Sequence, residues 1–493
     1  MTERRYLDDD IVRVWDYEHF RDKGKKKLLA TLFWGDDVRV SGEEGDFHRL
    51  KALKRVWNGE RRRYEWKDGL VDRKARFRDG PLLKVRFVDV GQGDAAILES
   101  PGGQVVLLDG GEEDHLRHYM GAAWSHLLRT KPLDLAAIVV THGDADHFAG
   151  LTRLVAAERP GRKGPLVTAR RVFHNGLVKA PSKKAGKRRP DKEMFGRTRK
   201  VGGRLYATEL EEDLRAVADA RMNEPFQAWK AALAELTHRN GELVVRRLAY
   251  GDRSAFDFLT EDGVQVQVLG PIAEDLGGTA ALPFLRLESG SSISASHTIN
   301  GHSIVLRVTF GNVRFLFGAD LNAESEAGLL ERARADGVSL ASEVLKVPHH
   351  GSADFTPRML EAVGAVVSVV SSGDENAAKE YIHPRAGLVG ALGRYSRATV
   401  EKPLVYVTEM VAFFRRLGHV SVHELTPSGA ESKKATVVRN GYEKTAFGIV
   451  HVRTDGERVL VATHSGRDDR KESYAFRVDA QGDVTEVGEV TMV

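Results

Sequence analysis

The chain has 493 residues, no cysteine, and 74 Lys and Arg against 70 Asp and Glu, which gives a formal net charge of +4. This length allows two or three domains, and the missing cysteines exclude disulfides, thiolate metal sites and thiol nucleophiles. No stretch approaches the roughly 18 apolar residues of a membrane-spanning helix, and the N-terminus has no apolar signal segment, so we expect a cytoplasmic protein without membrane insertion.

Residues 1–80 predict a β-rich N-terminal module that ends in a basic connector. Short strand-like runs at 11–15, 27–33 and 37–40 are separated by Gly and charged turns. The segment ATLFWGDDVRV resembles a bacterial SH3-like module, and a plain β-rich cap explains it equally well. Arg49 to Arg78 is basic and predicts an exposed connector, with a helical pattern around Phe47 to Trp57.

Two strand patterns then lead into Asp94 and Asp109. Residues 83–90 alternate with period two before the turn Gly91-Gln92-Gly93, and residues 104–108 run into Asp109-Gly-Gly. Glycine tolerates unusual φ values, so the backbone after Asp109 can approach a site closely. We expect the carboxylates of Asp94 and Asp109 not to bind a ligand directly but to support the side chains that do.

Two imidazoles and two carboxylates follow within six residues, at a predicted strand-to-helix turn. The apolar run 134–140 precedes them and helix formers follow at 151–157; the four are His142, Asp144, Asp146 and His147. Imidazole plus carboxylate suits Zn²⁺ or Mn²⁺, and a carboxylate-rich set favours the harder ion. The alternative is a solvated turn with a helix-capping Asp, but four potential ligands at this spacing favour a metal site.

The next segment is strongly basic. Residues 159–204 contain sixteen Lys and Arg against two acids. Part of it, 179–203, predicts an exposed loop whose candidates for binding a polyanion are Lys183, Lys184, Lys187, Arg188 and Arg189. A merely solvated loop is the alternative. Beyond it, 209–237 predicts a long helix or a helical pair with a break at Pro225.

The second half of the chain adds further candidate ligands. Residues 277–302 are rich in Gly, Ser and Ala and predict either a mobile loop beside the site or a spacer. Asp320 ends an apolar strand, and His349-His350 follow the strand 344–347. Adjacent side chains diverge at a strand end, so we expect one of these two to bind metal and favour His349. After residue 394 the chain predicts a β-rich meander with strands at 446–452, 458–463 and 473–478.

Five segments, in this order, resemble the soluble hydrolase domain of the ComEC family of competence proteins: VDVGQGDAAIL, VVLLDGG, IVVTHGDADHFAGL, SIVLRVTFGNVRFLFGADL and VLKVPHHGSADFT. The 142–147 motif is similar to the HxHxDH signature of metallo-β-lactamase-fold hydrolases, with Asp144 replacing the second His. The resemblance implies an α/β fold in which a four-layer αββα sandwich spans 81–410, between the N-terminal module 1–80 and a β-rich extension 411–493. The membrane channel of ComEC has no counterpart here, so a role in DNA transport is not implied.

The resemblance also implies two divalent ions, Zn²⁺ or Mn²⁺. His142 and Asp144 would hold one ion, Asp146 and His147 the other, and Asp320 would bridge them, with His349 as a further ligand. Asp146, His350 and His383 would orient water or move a proton. His383 lies in a segment, Tyr381-Ile-His-Pro after Asn376, that resembles the family's N…HP pattern, and it could also serve as a ligand.

Asn300 stands where many enzymes of this fold carry a third His. Asn is a poor ligand for Zn²⁺, which again favours Mn²⁺. We expect Asn300, His302 and Ser352 to contact substrate.

This kind of site can hydrolyse lactams, thioesters, lactones or phosphodiesters, so the fold alone does not choose the substrate. The basic segments favour a polyanion. We therefore predict a metal-dependent phosphodiesterase or nuclease that acts on DNA through a metal-activated water. The alternatives are a hydrolase of small phosphodiesters, of cyclic-nucleotide or phosphocholine type, and a non-catalytic nucleic-acid-binding scaffold.

Overall fold

The computed structural model describes residues 2–57, 62–184, 186–240, 242–287, 292–373, 383–397, 399–411, 413–425, 431–446, 448–463 and 472–490. The fold is mixed α/β and rich in sheet. Among these residues no helix is long and apolar enough to cross a membrane.

The N-terminal residues form one antiparallel sheet of seven strands: β1 (Glu3–Leu7), β2 (Ile11–Asp16), β3 (Leu28–Phe33), β4 (Asp37–Glu44), β5 (Phe47–Trp57), β6 (Arg62–Asp72) and β7 (Phe77–Arg78). Their order is β3-β2-β6-β5-β4-β1-β7. A short helix, α1 (Tyr17–Lys23), begins after Asp16, whose side chain accepts a hydrogen bond from the His19 amide.

The predicted helical connector is wrong. Strands β5 and β6 pair along their whole length and form a hairpin. Leu50, Ala52 and Leu70 are fully buried in it. Apolar residues at every second position face the core of a sheet, while the intervening Arg and Lys residues made the segment look exposed.

A ten-stranded sheet carries the first half of the candidate site. Its strands are β8 (Leu83–Val88), β9 (Ala96–Glu99), β10 (Val105–Leu108), β12 (Ala137–Val139), β14 (Arg171–His174), β19 (Val244–Arg247), β30 (Ile449–Thr454), β31 (Arg458–Thr463), β32 (Ser473–Val478) and β33 (Val484–Glu489). Their order is β19-β14-β12-β10-β9-β8-β30-β31-β32-β33. Because β30 pairs with β8, the C-terminal meander extends the sheet that precedes Asp94.

A six-stranded sheet carries the second half: β20 (Val264–Gly270), β23 (Val305–Phe310), β24 (Val313–Phe317), β25 (Val344–Lys346), β26 (Val367–Val370) and β27 (Leu404–Val407), in that order. The pairs β20–β23 and β23–β24 are antiparallel, and the remaining pairs are parallel.

Smaller sheets and the helices complete the fold. The smaller sheets pair β11 (Leu133–Leu135) with β13 (Val167–Ala169), β15 (Lys183–Lys184) with β16 (Lys187–Arg188), and β28 (Phe413–Leu425) with β29 (Glu431–Ala446), and they join β17 (Thr198–Val201), β18 (Arg204–Ala207), β22 (Ala280–Pro283) and β21 (Glu274–Asp275). The other helices are α2 (His115–Ala123), α3 (Ala145–Ala156), α4 (Glu224–Asn240), α5 (Ala295–Gly301), α6 (Ala323–Ala335), α7 (Pro357–Val363) and α8 (Ala386–Arg394).

The two large sheets share one apolar core. Phe87 of β8 and Phe317 of β24 belong to it, with ring centroids 5.9 Å apart. A second cluster joins the ten-stranded sheet to α2, α3 and α4, and a third joins the six-stranded sheet to α6, α7 and α8. The central strands are therefore buried on both faces, which explains their continuous apolar sequences.

Two predictions between the sheets need correction. The predicted helical stretch 209–237 contains one helix, α4, which begins only at Glu224 after two 3₁₀ turns, so Pro225 lies in its first turn rather than at a break. The segment 277–302 is only partly a loop, because it holds β22 and the helix α5, which Ser294 caps through the His297 amide. Residues 288–291 of this segment lie outside the described residues.

Candidate metal centre

The candidate ligands lie after the C-terminal ends of parallel strands. In the ten-stranded sheet, β10 leads to Asp109 and its parallel neighbour β12 leads to His142. In the six-stranded sheet, β24 leads to Asp320 and its parallel neighbour β25 leads to His349 and His350. Neighbouring parallel strands end at the same edge of their sheet. The ends of these strands from the two sheets lie together, so residues about two hundred positions apart in the sequence come close to one another.

Asp320 is the meeting point of three imidazoles. Its Oδ2 lies 3.3 Å from Nε2 of His147, 3.3 Å from Nε2 of His350 and 3.8 Å from Nε2 of His142. All four side chains are almost completely buried. His350 Nε2 lies also 3.6 Å from Oδ2 of Asp146, whose side chain is partly exposed.

Asp109 orients His147 from behind. Its Oδ2 lies 2.9 Å from Nδ1 of His147. The amide and hydroxyl of Thr141 both donate to the same carboxylate, at 2.8 and 2.6 Å. A carboxylate fixed on one ring nitrogen leaves the other free to face a ligand site, as in carboxylate–histidine–metal arrangements.

Asp94 has the same relation to His350 and adds a buried lysine. Asp94 Oδ1 lies 3.3 Å from Nδ1 of His350, and Nζ of Lys346 donates to Asp94 Oδ2. The Ser371 carbonyl is a second partner of the same ring nitrogen, at 3.0 Å. Lys346 and His350 hold the pKa of Asp94 at about 2, although burial works against ionisation.

The cluster stabilises positive charge at its centre. Burial disfavours the charged imidazole, but the surrounding carboxylates raise the pKa of His147 well above its usual value and that of His350 to about 10. Despite burial, the same partners hold the pKa of Asp320 well below its ordinary range. For His142, burial and the neighbouring His147 outweigh the attraction of Asp320 and lower its pKa well below the usual value.

The donor set fits a divalent cation. Among the described residues, none forms a hydrogen bond with Nε2 of His142, His147 or His350, or with Oδ1 of Asp320, although all four atoms are buried. Buried polar atoms are normally satisfied, so four such atoms around one point are suited to holding a cation. The atoms of His142, His147 and Asp320, and of Asp146, His147 and His350, each lie within 4.8 Å of one another.

Asp144 is not part of this cluster of ligand atoms. Its Oδ1 accepts a hydrogen bond from Nζ of Lys179 at 2.6 Å. With the Asn300 amide oriented to satisfy its neighbours, Asn300 donates to Asp144 Oδ2 at 3.1 Å and accepts from Nε2 of His349 at 3.3 Å. Burial raises the pKa of Asp144, and the nearby ammonium of Lys179 opposes this shift.

The structure places the remaining predicted residues less centrally. His349 contacts Asn300, and its ring centroid lies 5.9 Å from that of His383. Burial and the neighbouring His349 and His350 lower the pKa of His383 to about 4. His302 is turned away, with Nε2 2.7 Å from the Pro283 carbonyl.

Ser352 is partly exposed, and its hydroxyl accepts from the Asp354 amide. Asn376 and Tyr381, from the segment compared with the N…HP pattern, lie outside the described residues.

Within the predicted exposed loop 179–203, β15 and β16 pair as a short two-stranded hairpin. Lys183, Lys184, Lys187 and Arg188 are exposed on it. Lys184 pairs with Glu193 at 3.1 Å, and Nε of Arg189 donates to the Pro181 carbonyl at 2.8 Å. The hairpin begins at Lys183, four residues after Lys179. Even a fully extended backbone would therefore place these two Cα atoms at most about 14 Å apart.

Two site residues were missed from the sequence, Lys179 and Lys346. Lys346 was readable as a charged residue inside an apolar strand, since a buried lysine needs a carboxylate partner. Lys179 carried no such signal, because it sits within a run of basic residues.

The comparisons with known proteins bear on this region. Residues 88–218 match the metallo-beta-lactamase superfamily. The matched stretch contains Asp94, Asp109 and the whole 142–147 motif, and members of this superfamily are generally metal-dependent enzymes. The likeness to the ComEC hydrolase domain stays a prediction.

No curated protein matches the chain. A solved structure of a mutant CmlA beta-hydroxylase is similar over 67% of this chain and 53% of that one, at 13% identity and a TM-score of 0.30. The chain spans about half the length of that structure, and so distant a likeness carries no functional argument.

Proposed function

We propose that the protein is a metal-dependent hydrolase of phosphodiesters, with DNA as the favoured substrate. The observation that carries the proposal is the convergence of His142, His147 and His350 on Asp320. The match of residues 88–218 to a superfamily of metal-dependent enzymes supports it. The shared core of the two large sheets, with helices on both outer sides, supports a four-layer αββα sandwich around this centre.

In the proposed centre, His147, His350, Asp320 and Asp146 hold a divalent ion, Mn²⁺ or Zn²⁺, and His142 lies close enough to join them. A bound ion of this kind activates water near neutral pH and polarises a phosphoryl oxygen. Asp109 and Asp94 keep the imidazoles of His147 and His350 in orientation. Asp146, being partly exposed, is the carboxylate best placed to accept a proton from an attacking water.

The nucleic-acid assignment rests on charge. Sixteen Lys and Arg against two acids fall within residues 159–204, and the hairpin β15–β16 exposes four of them close in sequence to Lys179. Such a surface can contact backbone phosphates without reading sequence.

One observation favours the small-phosphodiester alternative. Lys184 is paired with Glu193, and Arg188 lies 4.0 Å from Asp191, so part of the hairpin's charge is neutralised within the protein. A reduced positive surface suits a small substrate that depends on the metal centre alone.

The test is hydrolysis by the purified protein supplied with Mn²⁺ or Zn²⁺, on single- and double-stranded DNA and on bis(p-nitrophenyl) phosphate. We expect metal-dependent cleavage of DNA that EDTA stops and that His147→Ala abolishes. His118→Ala, at an exposed histidine of α2, is the matched control and should retain full activity.

The other outcomes separate the alternatives. Turnover of the small ester with DNA intact would support the small-phosphodiester hydrolase. DNA binding without any cleavage, at every metal tried, would support the scaffold and contradict the proposal.

A further inference from the structure

We propose that the ammonium of Lys179 takes the place of one of the two metal ions, so that this chain binds a single divalent ion. The inference rests on the proposed function, because it concerns the same site. It replaces the two-ion expectation, in which His142 and Asp144 would hold one ion and Asp146 and His147 the other.

Both oxygens of Asp144 already have hydrogen-bond partners within the protein. One oxygen accepts from the Lys179 ammonium at 2.6 Å, and the other accepts from the Asn300 amide at 3.1 Å. Among the described residues, every group of ligand atoms close enough to hold an ion omits Asp144. A carboxylate paired with an ammonium is already neutralised, so a cation would have to displace Lys179.

Lys179 is held at this position by its backbone. The Asn223 amide donates to the Lys179 carbonyl at 2.8 Å, and the next residue, Ala180, donates to the Met194 carbonyl at 2.9 Å. Leu177 and Val178, just before it, are buried in apolar clusters. The backbone of Lys179 is therefore fixed, and its ammonium lies 2.6 Å from Asp144 Oδ1, in contrast to the exposed lysines of the hairpin.

Asn300 also disfavours a second metal ion. The resemblance places it where many enzymes of this fold carry a third His, and its amide is a poor ligand for Zn²⁺. The first ion would thus be left with His142 alone as an unengaged ligand, whereas the second keeps His147, His350, Asp320 and Asp146. His142 lies 3.8 Å from Asp320 and can serve that remaining ion.

A fixed ammonium suits a phosphoryl substrate. Lysine binds phosphate oxygens as a point charge, and its charge does not depend on metal supply. Lys179 and the single ion would contact different oxygens of one phosphodiester. We expect Lys179→Met to lower kcat/KM about tenfold or more, the usual worth of a hydrogen bond to a charged group, while metal content stays the same.

The test is metal stoichiometry, measured by equilibrium dialysis against Mn²⁺ with elemental analysis of both chambers. We expect one ion per wild-type chain, one in Asp144→Ala, and none in the double variant Asp146→Ala, His350→Ala. The double variant Lys179→Ala, Asn300→His frees Asp144 and restores an imidazole, so it should bind a second ion.

Two ions per wild-type chain, or loss of an ion in Asp144→Ala, would overturn the inference and leave the proposed hydrolase intact. No ion in the wild type, with folding verified by circular dichroism, would overturn both. If the Lys179→Ala, Asn300→His variant does not fold, the wild type and Asp144→Ala decide the matter alone.

Discussion

Four residues at the site have a left-handed backbone, two of them the adjacent histidines His349 and His350. His349 and His350 have φ values of 48° and 51°, and Asp109 and Ala319, beside the other ligands, have 56° and 45°. Left-handed conformations cost a residue with a side chain about 1–2 kcal/mol each. The expectation that adjacent side chains diverge assumed ordinary extended backbone, and it favoured His349, whereas His350 is the one that lies 3.3 Å from Asp320.

Lys346→Ala should destabilise the fold strongly. It would leave the Asp94 carboxylate buried without its ammonium, and breaking a buried pair costs about 3–5 kcal/mol of unfolding free energy. Lys346 and Asp94 are 4% and 6% exposed, so solvent screens the pair little. Urea unfolding measures the change.

The matched control is Arg153→Ala, which breaks the Arg153–Glu113 pair at the surface. Such a pair is worth at most about 1 kcal/mol. Equal losses of unfolding free energy in Lys346→Ala and Arg153→Ala would show that burial does not strengthen the Lys346–Asp94 pair.

Glycine contacts set the approach of α3 to the strands of the ten-stranded sheet. A Cβ on Gly150 would lie 2.2 Å from the Gly110 carbonyl oxygen, a backbone atom that cannot move without shifting Asp109. We expect Gly150→Ala to displace the helix that carries His147 and to lower both the melting temperature and the affinity for Mn²⁺.

Gly328→Ala in α6 is the control, since no atom lies within 4 Å of the added Cβ. It should stabilise the protein by about 0.5–1 kcal/mol, the usual gain for Gly to Ala within a helix. A Gly150→Ala variant with unchanged melting temperature would contradict the close contact.

Glu326 of α6 makes stability depend on pH. Burial raises the pKa of its carboxyl from an ordinary 4.5 to about 7, and the Thr356 amide at the start of α7 donates to it. The folded protein therefore holds a proton that the unfolded chain releases above pH 4.5. Stability is full below that value and falls by about 3 kcal/mol as pH rises to 7.

Glu326→Gln, neutral at every pH, tests this directly. The variant should match the wild type in urea unfolding at pH 4.5 and exceed its stability at pH 8. An equal difference between the two proteins at both pH values would show that Glu326 does not titrate in this range.

Across the whole molecule, the sequence predicted short-range features better than the joining of distant segments. The 142–147 motif, the strand before Asp320 and the strand β20 were readable from local pattern. The pairing of β30 with β8 was not, because it joins positions more than 350 residues apart without a local signal. The hairpin β5–β6 was misread because long basic side chains mask the alternation of its apolar residues. Lys179 was missed because nothing in the local sequence distinguishes it from the neighbouring basic residues.

Charge on the hairpin β15–β16 should govern the salt dependence of DNA binding. Replacing Lys183, Lys184, Lys187 and Arg188 by Ala removes four cations, which would lower the slope of log K against log salt by about 3–4 if each contacts a phosphate. Fluorescence anisotropy with a short duplex at several salt concentrations measures it. The control removes four exposed charges elsewhere, at Arg21, Lys23, Lys25 and Lys27. An unchanged slope in the hairpin variant, or an equal change in the control, would reject the hairpin as the contact.

Anomalous diffraction from crystals soaked in Mn²⁺ tests most directly whether these side chains surround a cation. We predict a peak in contact with Nε2 of His147, Nε2 of His350 and the carboxylate of Asp320. A soaked crystal with no peak among these three residues, or with manganese bound only elsewhere on the chain, would contradict the account.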